Sequence, residues 1–262
     1  MAPGPLVPPD IADAIEAARP RLAPLGSPLA FYPTIGSTND AAASLATEGA
    51  IVVADEQTAG RGRRGRVWFS PPRSGLYVSV ALAPRRARVD PRRATTLVTL
   101  AAGVAIAEGV HASTGLRVDL KWPNDLYVAG RKVGGILAEA SHDLVVLGYG
   151  INVSTTAYPP DWRDRATSLE SEIGGAVDRV RVLVETLAAL ARRYGDLLEG
   201  RFDAILDAWR GRAPASVAAR VRWTSASGVH SGVTAGVDHD GALLVQTDVG
   251  VERIVGGDVE WR

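Results

Sequence analysis

At Pro214 the apolar pattern of the chain changes period, and that change constrains the fold more than any other single feature. Upstream, Leu183, Leu187, Leu190, Tyr194 and Leu197 recur at helical spacing, and Gly200 separates them from a second run through Phe202, Ile205 and Trp209. Downstream come short alternating runs broken by Ser227-Gly228, Asp240-Gly241, Asp248 with Gly250, and Gly256-Gly257. Turn signals about 8 to 12 residues apart read as a small all-β barrel. The expected organisation is a tail and short helix over 1–28, an α+β domain over 29–212, and a barrel of SH3-like size over 214–262.

Ahead of the α+β part, Met1 to Asp10 is proline-rich and reads as a loose tail, and Ile11 to Arg19 reads as a helix. Pro20 and Pro24 then predict an irregular link. Ser37 and Thr38 suit the cap of an alanine-rich helix, Asn39 to Glu48, closed by Gly49. Ile51 to Ala54 and Leu76 to Ala83 read as strands flanking an exposed loop of glycine and arginine. A helix follows from Pro91 to His111. Val118 to Trp122, Val133 to Ala140 and Leu144 to Val153 read as strands, the last two joined tightly at Ser141 to Asp143 and therefore antiparallel.

Composition narrows the function classes. Hydrophobic residues make up 46% and charged residues 22%, enough for a proper core. The net charge is +0, so no global field draws the chain to nucleic acid or membrane, and neither partner is expected. Absence of cysteine removes disulfides, zinc-thiolate sites and thiol nucleophiles, and with no signal peptide or long uninterrupted apolar run it fits a cytoplasmic protein. Lys121 and Lys132 are the only lysines among 29 basic residues. Either they survived a drift toward arginine, or each occupies a site shaped for a compact ammonium rather than a planar guanidinium.

Chemistry concentrates in three segments. Gly60-Arg61-Gly62-Arg63-Arg64-Gly65-Arg66 alternates cations with glycines, a pattern suited to a small-molecule phosphate, to nucleic acid, or to a solvated loop. It has neither P-loop spacing nor the strand-to-helix context of a dinucleotide fingerprint. Lys121-Trp122-Pro123-Asn124-Asp125 sets a cation, an indole, an amide and a carboxylate at a strand end; it could hold magnesium or be a self-bonded turn. Lys132 to Glu139 carries Gly134-Gly135 inside a strand, which implies either a flat ligand against the backbone or a bulge at a sheet edge. Gly36 to Asn39 and Gly148 to Asn152 could equally be an ordinary helix cap and a strand bend. His111, His142, His230 and His239 lack metal-site spacing, and Ser70 lacks the context of a hydrolase nucleophile.

Taken in order, Gly36-Ser37-Thr38-Asn39, Gln57 with the Gly60 to Arg66 loop and Trp68, Lys121 to Leu126, Lys132 to Glu139, and Gly148 to Val153 resemble the biotin-protein ligase family. Gly236 to Leu244 and Gly256 to Arg262 are similar, more loosely, to its C-terminal barrel. The resemblance implies a class II synthetase-like catalytic domain with a mixed, largely antiparallel sheet. It implies biotin as substrate, ATP with Mg²⁺, and transfer to a lysine of a biotin carboxyl carrier protein of acetyl-CoA carboxylase or a related carboxylase. Ser37, Thr38, Asn39 and Gln57 would contact the ureido ring, with Arg61, Gly62, Arg63, Lys132, Gly134 and Gly135 completing the biotin site. Arg63, Arg66, Trp68, Lys121, Asn124 and Asn152 would surround ATP. Arg61, Lys132 and Asp125 would be catalytic, Asp125 through magnesium or the carrier lysine. Gly134-Gly135 departs from the Ala-Gly of many relatives. The resemblance further implies the monofunctional type without a DNA-binding repressor domain, and a possible homodimer. A lipoate-protein ligase and an RNA-binding module using the arginine loop are the alternatives.

Overall fold

The computed structural model describes residues 7–225 and 227–261. Most of the expected tail, together with Ala226 and the final Arg262, lies outside the described residues.

The prefix is longer and better ordered than its prolines suggest. Helix α1 spans Pro9–Leu22, with Pro9 in its first turn, where no amide hydrogen is needed, and Pro20 carried inside its last turn. Ile15, Ala18 and Leu22 form its buried face within the main core. Arg21 clasps Glu185 with both guanidinium nitrogens, at 3.0 and 2.5 Å, so the prefix is fastened to the body of the protein.

Strands β1 (Leu29–Tyr32), β2 (Ile51–Ala54), β3 (Gly75–Leu82), β4 (Asp119–Lys121), β5 (Asp125–Val128), β6 (Arg131–Ser141) and β7 (Leu144–Asn152) form a seven-stranded sheet in the order β1-β2-β3-β7-β6-β5-β4. Only β1 and β2 run parallel; every other pair is antiparallel. β5 has no counterpart in the sequence reading, because Trp122 to Asn124 is the turn of a hairpin and not merely the end of a strand. Gly134-Gly135 lies in β6, an interior strand, and the register slips on its β5 side where Val133 is passed over. The irregularity is present, although not at a sheet edge.

Helices α3 (Pro91–Thr114), α5 (Arg179–Leu198) and α6 (Phe202–Arg210) cover one face of the sheet. α3 is long and apolar enough to cross a membrane by composition, yet 72% of its most apolar window is buried inside the protein. Gly109 lets α3 and α5 touch, since a Cβ there would lie 2.4 Å from Thr186 Cα. Glu108 sits beside this contact and accepts from Arg193 at 2.5 Å and Arg192 at 2.8 Å. Burial acts to raise its pKa, but the bonds from Arg193 and Arg192 override this and hold the carboxyl below its ordinary value. A carboxylate so depressed adds stability above its unfolded pKa and loses it as pH falls through the folded one. Glu108→Gln should therefore cost about 2 kcal/mol at neutral pH. In thermal unfolding the gap between the two proteins should narrow as pH falls below the ordinary glutamate range; a gap independent of pH would refute the ion-pair account.

The opposite face carries α2 (Thr38–Leu45), packed through Ala42 on Val52 and Val146. α2 stops before the expected Glu48 because Ala46 adopts a left-handed conformation with φ 47° and donates to Ala43. A short helix α4 (Leu169–Ile173), not anticipated, follows β7. Beyond α6, strands β8 (Val217–Ser225), β9 (Gly228–Val237), β10 (Leu243–Thr247), β11 (Gly250–Ile254) and β12 (Val259–Trp261) make the second, wholly antiparallel sheet in the order β11-β10-β9-β8-β12.

Candidate active site

Along β7, core-facing Leu147, Tyr149 and Ile151 alternate with Gly148 and Gly150, so the sheet face bearing α2 is left almost without side chains. Gly135 of β6 stands directly opposite Gly150. Over this flat floor lies a cleft of about 650 Å³, walled by the start of α2, the arginine loop, the β4–β5 hairpin and β12.

One end is polar and neutral. Ser37, Thr38 and Asn39 are 4%, 4% and 6% exposed, yet all three line the cleft. Gln57 Oε1 accepts from Thr38 N at 2.9 Å and Thr38 Oγ1 at 3.0 Å, while Gln57 Nε2 donates to Ser70 Oγ. Asn39 Nδ2 donates to Glu139 at 2.5 Å, and Ser79 Oγ lies 2.6 Å from Asn39 Oδ1. Ser37 occupies the cap position of α2, but its side chain makes no capping bond, contrary to the cap expected from sequence.

The other end is cationic. Lys132 Nζ is 2.6 Å from Asp125 Oδ1 and 5.5 Å from the Trp68 ring centre. Lys121 Nζ lies between the rings of Tyr127 and Trp261, at 5.1 and 5.5 Å. Burial pushes the Lys121 ammonium below its ordinary pKa, Asp125 opposes this, and Lys132 adds to it. The only two lysines of the chain thus line one cleft, which random drift toward arginine does not account for.

The four arginines of the loop divide. Arg61 lines the cleft, but its guanidinium grips Asp40 of α2 at 2.8 and 2.6 Å and reaches Glu139 at 3.2 Å. Its pKa is raised, first by Asp40. Arg61, expected to meet the reacting anions, is charge-compensated at the wall and anchors the root of the loop. Arg64 and Arg66 both turn to Asp258. Arg63 is half-buried and touches only neutral acceptors, Asn124 Oδ1 and Gly257 O, each at 3.4 Å. Burial and neighbouring Arg64 lower its pKa, but guanidinium remains charged at any ordinary pH. Among the described residues it is the loop cation without a carboxylate partner.

Trp68 lies on the glycine floor, its indole nitrogen buried and without a hydrogen-bond partner among the described residues. Asn124 Nδ2 donates to Ile136 O at 2.6 Å, so the hairpin turn is tied to β6 and not bonded to itself. Gly62, Arg66 and Gly135 also line the cleft.

Two expected residues do not. Gly134 faces Gly150 O and Leu126, because successive residues of a strand point to opposite faces and Gly135 takes the floor. Asn152 is buried and donates to Thr167 O, ordering the connection to α4. Tyr127, Trp162, Asp258 and Trp261 line the cleft and escaped the sequence reading. Tyr127 belongs to the unforeseen β5, and the last two come from the far sheet. The histidines stay outside: His230 stacks on Trp223, and His239 sits with Asp238 and Asp240 in a turn where Arg253 engages both carboxylates.

Residues 32–153 match the Biotin/lipoate A/B protein ligase family and residues 220–262 the Biotin protein ligase C terminal domain. The chain is 35% identical over 235 residues to the biotin–[acetyl-CoA-carboxylase] ligase of Mycobacterium tuberculosis, covering 86% of this chain and 85% of that protein. It is 36% identical over 247 residues to the bifunctional ligase/repressor BirA of Bacillus subtilis, covering 90% and 74% respectively. Among solved structures, biotin protein ligase from Aquifex aeolicus in complex with biotin and ATP superposes with a TM-score of 0.79 at 30% identity, covering 90% of this chain and 99% of that one. With both regions matched and relatives of this identity spanned over most of their length, the chain belongs to the biotin protein ligase family.

Proposed function

We propose that this cleft activates biotin with ATP to biotinyl-5′-AMP and passes the biotinyl group to a lysine of a biotin-carrying carboxylase subunit. The observation that carries the reading is the polarity of the cleft, with neutral donors and acceptors at one end and Lys121, Lys132 and Arg63 at the other. A ureido ring needs the former, and a carboxylate meeting a phosphate needs the latter. Lipoate's apolar dithiolane has no donor or acceptor to offer Ser37, Thr38 and Gln57, whereas a ureido ring has both.

A carboxylate and an amine do not condense at neutral pH. The biotin carboxylate therefore attacks the α-phosphate of ATP, forming the acyl phosphate bond as the bond to pyrophosphate breaks. Lys132 and Arg63 offset the repulsion of the two anions, each well-placed donor contributing about 3 to 4 kcal/mol to the transition state. Ser37, Thr38, Asn39 and Gln57 hold the ring, Trp68 covers the junction from the floor, and Lys121 and Asn124 flank the nucleotide. The carrier amine then attacks the acyl carbon and AMP leaves.

Asp125 and Asp258 are the carboxylates lining the cleft, and Lys132, Arg64 and Arg66 already neutralise them. Such a donor set fits magnesium held mainly by ATP phosphates, with Asp125 as its one protein carboxylate. Bound there, the ion supplies charge neutralisation on the phosphates. Asp125 otherwise orients Lys132 and, as a carboxylate of the cleft, would receive the proton of the incoming amine.

The test is the mass of a purified carrier domain after incubation with this protein, ATP, Mg²⁺ and either biotin or lipoate. A biotinyl adduct and no lipoyl adduct is expected with the biotin carboxyl carrier domain of acetyl-CoA carboxylase or a related carboxylase. Lipoylation alone, or no adduct, would sink the proposal.

A further inference from the structure

The loop arginines are held at two places, and the second lies in the turn that leads into β12. Arg66 Nη2 is 2.7 Å and Arg64 Nη1 3.4 Å from Asp258 Oδ2, and Arg63 donates to the adjoining Gly257 carbonyl. Nearly two hundred residues of chain separate these partners. At the loop tip Arg64 has φ 57° and ψ 37°, a left-handed conformation that a side-chain-bearing residue adopts only when something holds it. Gly257, at φ 127°, supplies a backbone conformation that other residues rarely reach, and so presents Asp258 and the carbonyl toward the loop.

We propose that Asp258 is a positioning residue for biotin activation, acting through Arg64 and Arg66 to keep the arginine loop over the cleft and leave Arg63 as its uncompensated cation. The proposal rests on the ligase reading above. Asp258 does two things at once. It ties the tip of a segment whose root is fastened by Arg61 to Asp40, so the loop is held over the cleft from both ends. It also neutralises Arg64 and Arg66, so that of the loop cations Arg63 alone is left to present charge to an anion. Arg64, Arg66 and Asp258 are 54%, 69% and 45% exposed, and exposed pairs are weak and screened by salt. A weak latch suits a loop that must shut over a hydrolysable anhydride and open at each turnover.

The experiment compares full-length wild type with Asp258→Asn, Asp258→Glu, Arg66→Gln and the double variant Asp258→Asn/Arg66→Gln. It measures trypsin cleavage at the loop arginines in the unliganded protein and the release rate of biotinyl-adenylate formed from biotin and ATP. Asp258→Asn should accelerate both by roughly three- to tenfold, the range expected for losing a small exposed ion-pair cluster. Asp258→Glu should stay near wild type, and the double variant should be no worse than Asp258→Asn, because the two groups act as one contact. Melting temperatures should be unchanged. Unaltered adenylate release in Asp258→Asn, equal defects in the Asn and Glu variants, or additive effects of Asp258 and Arg66 would overturn the proposal. Failure of wild type itself to form adenylate would remove the ligase reading, whereas wild-type adenylate formation with no change in Asp258→Asn removes only this one.

Discussion

Lys132→Met should lower biotin-dependent pyrophosphate release by about 100- to 1,000-fold while leaving the melting temperature nearly unchanged. The side chain is about one-third exposed and contributes little to the core, so loss of stability is not the expected route. Its partner makes the substitution severe. Without the ammonium, Asp125 is left unpaired in a cleft that has to admit a carboxylate and a triphosphate. The variant therefore loses an attractive charge and gains a repulsive one. Asp125→Asn placed on Lys132→Met should recover part of the loss, since it removes the stranded charge without restoring the cation. Lys132→Arg should remain poor, because a planar fork does not fill the place of a compact ammonium against Trp68 and Gly135. Near-normal rates in Lys132→Met, or no recovery in the double variant, would show that charge at this position does not govern activation.

The same residue shows how far the sequence can be read. Two lysines among so many arginines hinted that ammonium mattered, and the glycine pattern after Lys132 left open a flat ligand against the backbone or a bulge at a sheet edge. The flat group found there is the protein's own Trp68. The change of period at Pro214, the β6–β7 hairpin and the helices α3, α5 and α6 were legible because each is written in local spacing or in one turn. Side-chain partners were not. Arg61, Arg63, Arg64 and Arg66 form one cluster of charge in the sequence, but Asp40, Asn124, Glu139 and Asp258, which give them different roles, are scattered over the chain. Asp258 and Trp261 reach the cleft only because the second sheet docks against the hairpin, where Trp122 donates to Gly241 O at 3.0 Å. Gly134 and Asn152 fit family positions by motif, but strand alternation turns Gly134 to the other face of β6 and the bond to Thr167 O holds Asn152 off the cleft surface.

Gly150→Ala should cost activity and spare the fold, and Gly109→Ala should do the reverse. A Cβ on Gly150 would lie 2.4 Å from Trp68 Nε1 and 2.6 Å from Cε2, so the indole has to leave the floor. The ring is at the cleft surface and can swing outward, while β7 keeps its full register with β3 and β6. Losing one aromatic wall of this kind should lower kcat/KM by about 30-fold, equivalent to about 2 kcal/mol. At Gly109 the obstacle is the Thr186 backbone at 2.4 Å, and no side-chain rotation relieves it. α3 and α5 must move apart along a contact that anchors the main core, at about 3 kcal/mol or a fall of roughly 10 °C in melting temperature. Steady-state kinetics and thermal unfolding on the two variants separate the effects. If Gly150→Ala instead melts early with normal kcat/KM in the folded fraction, the glycine floor serves packing and the cleft does not depend on where Trp68 lies. The crossed outcome ties function to a surface made flat by absent side chains, on which one indole and one ammonium are held in place.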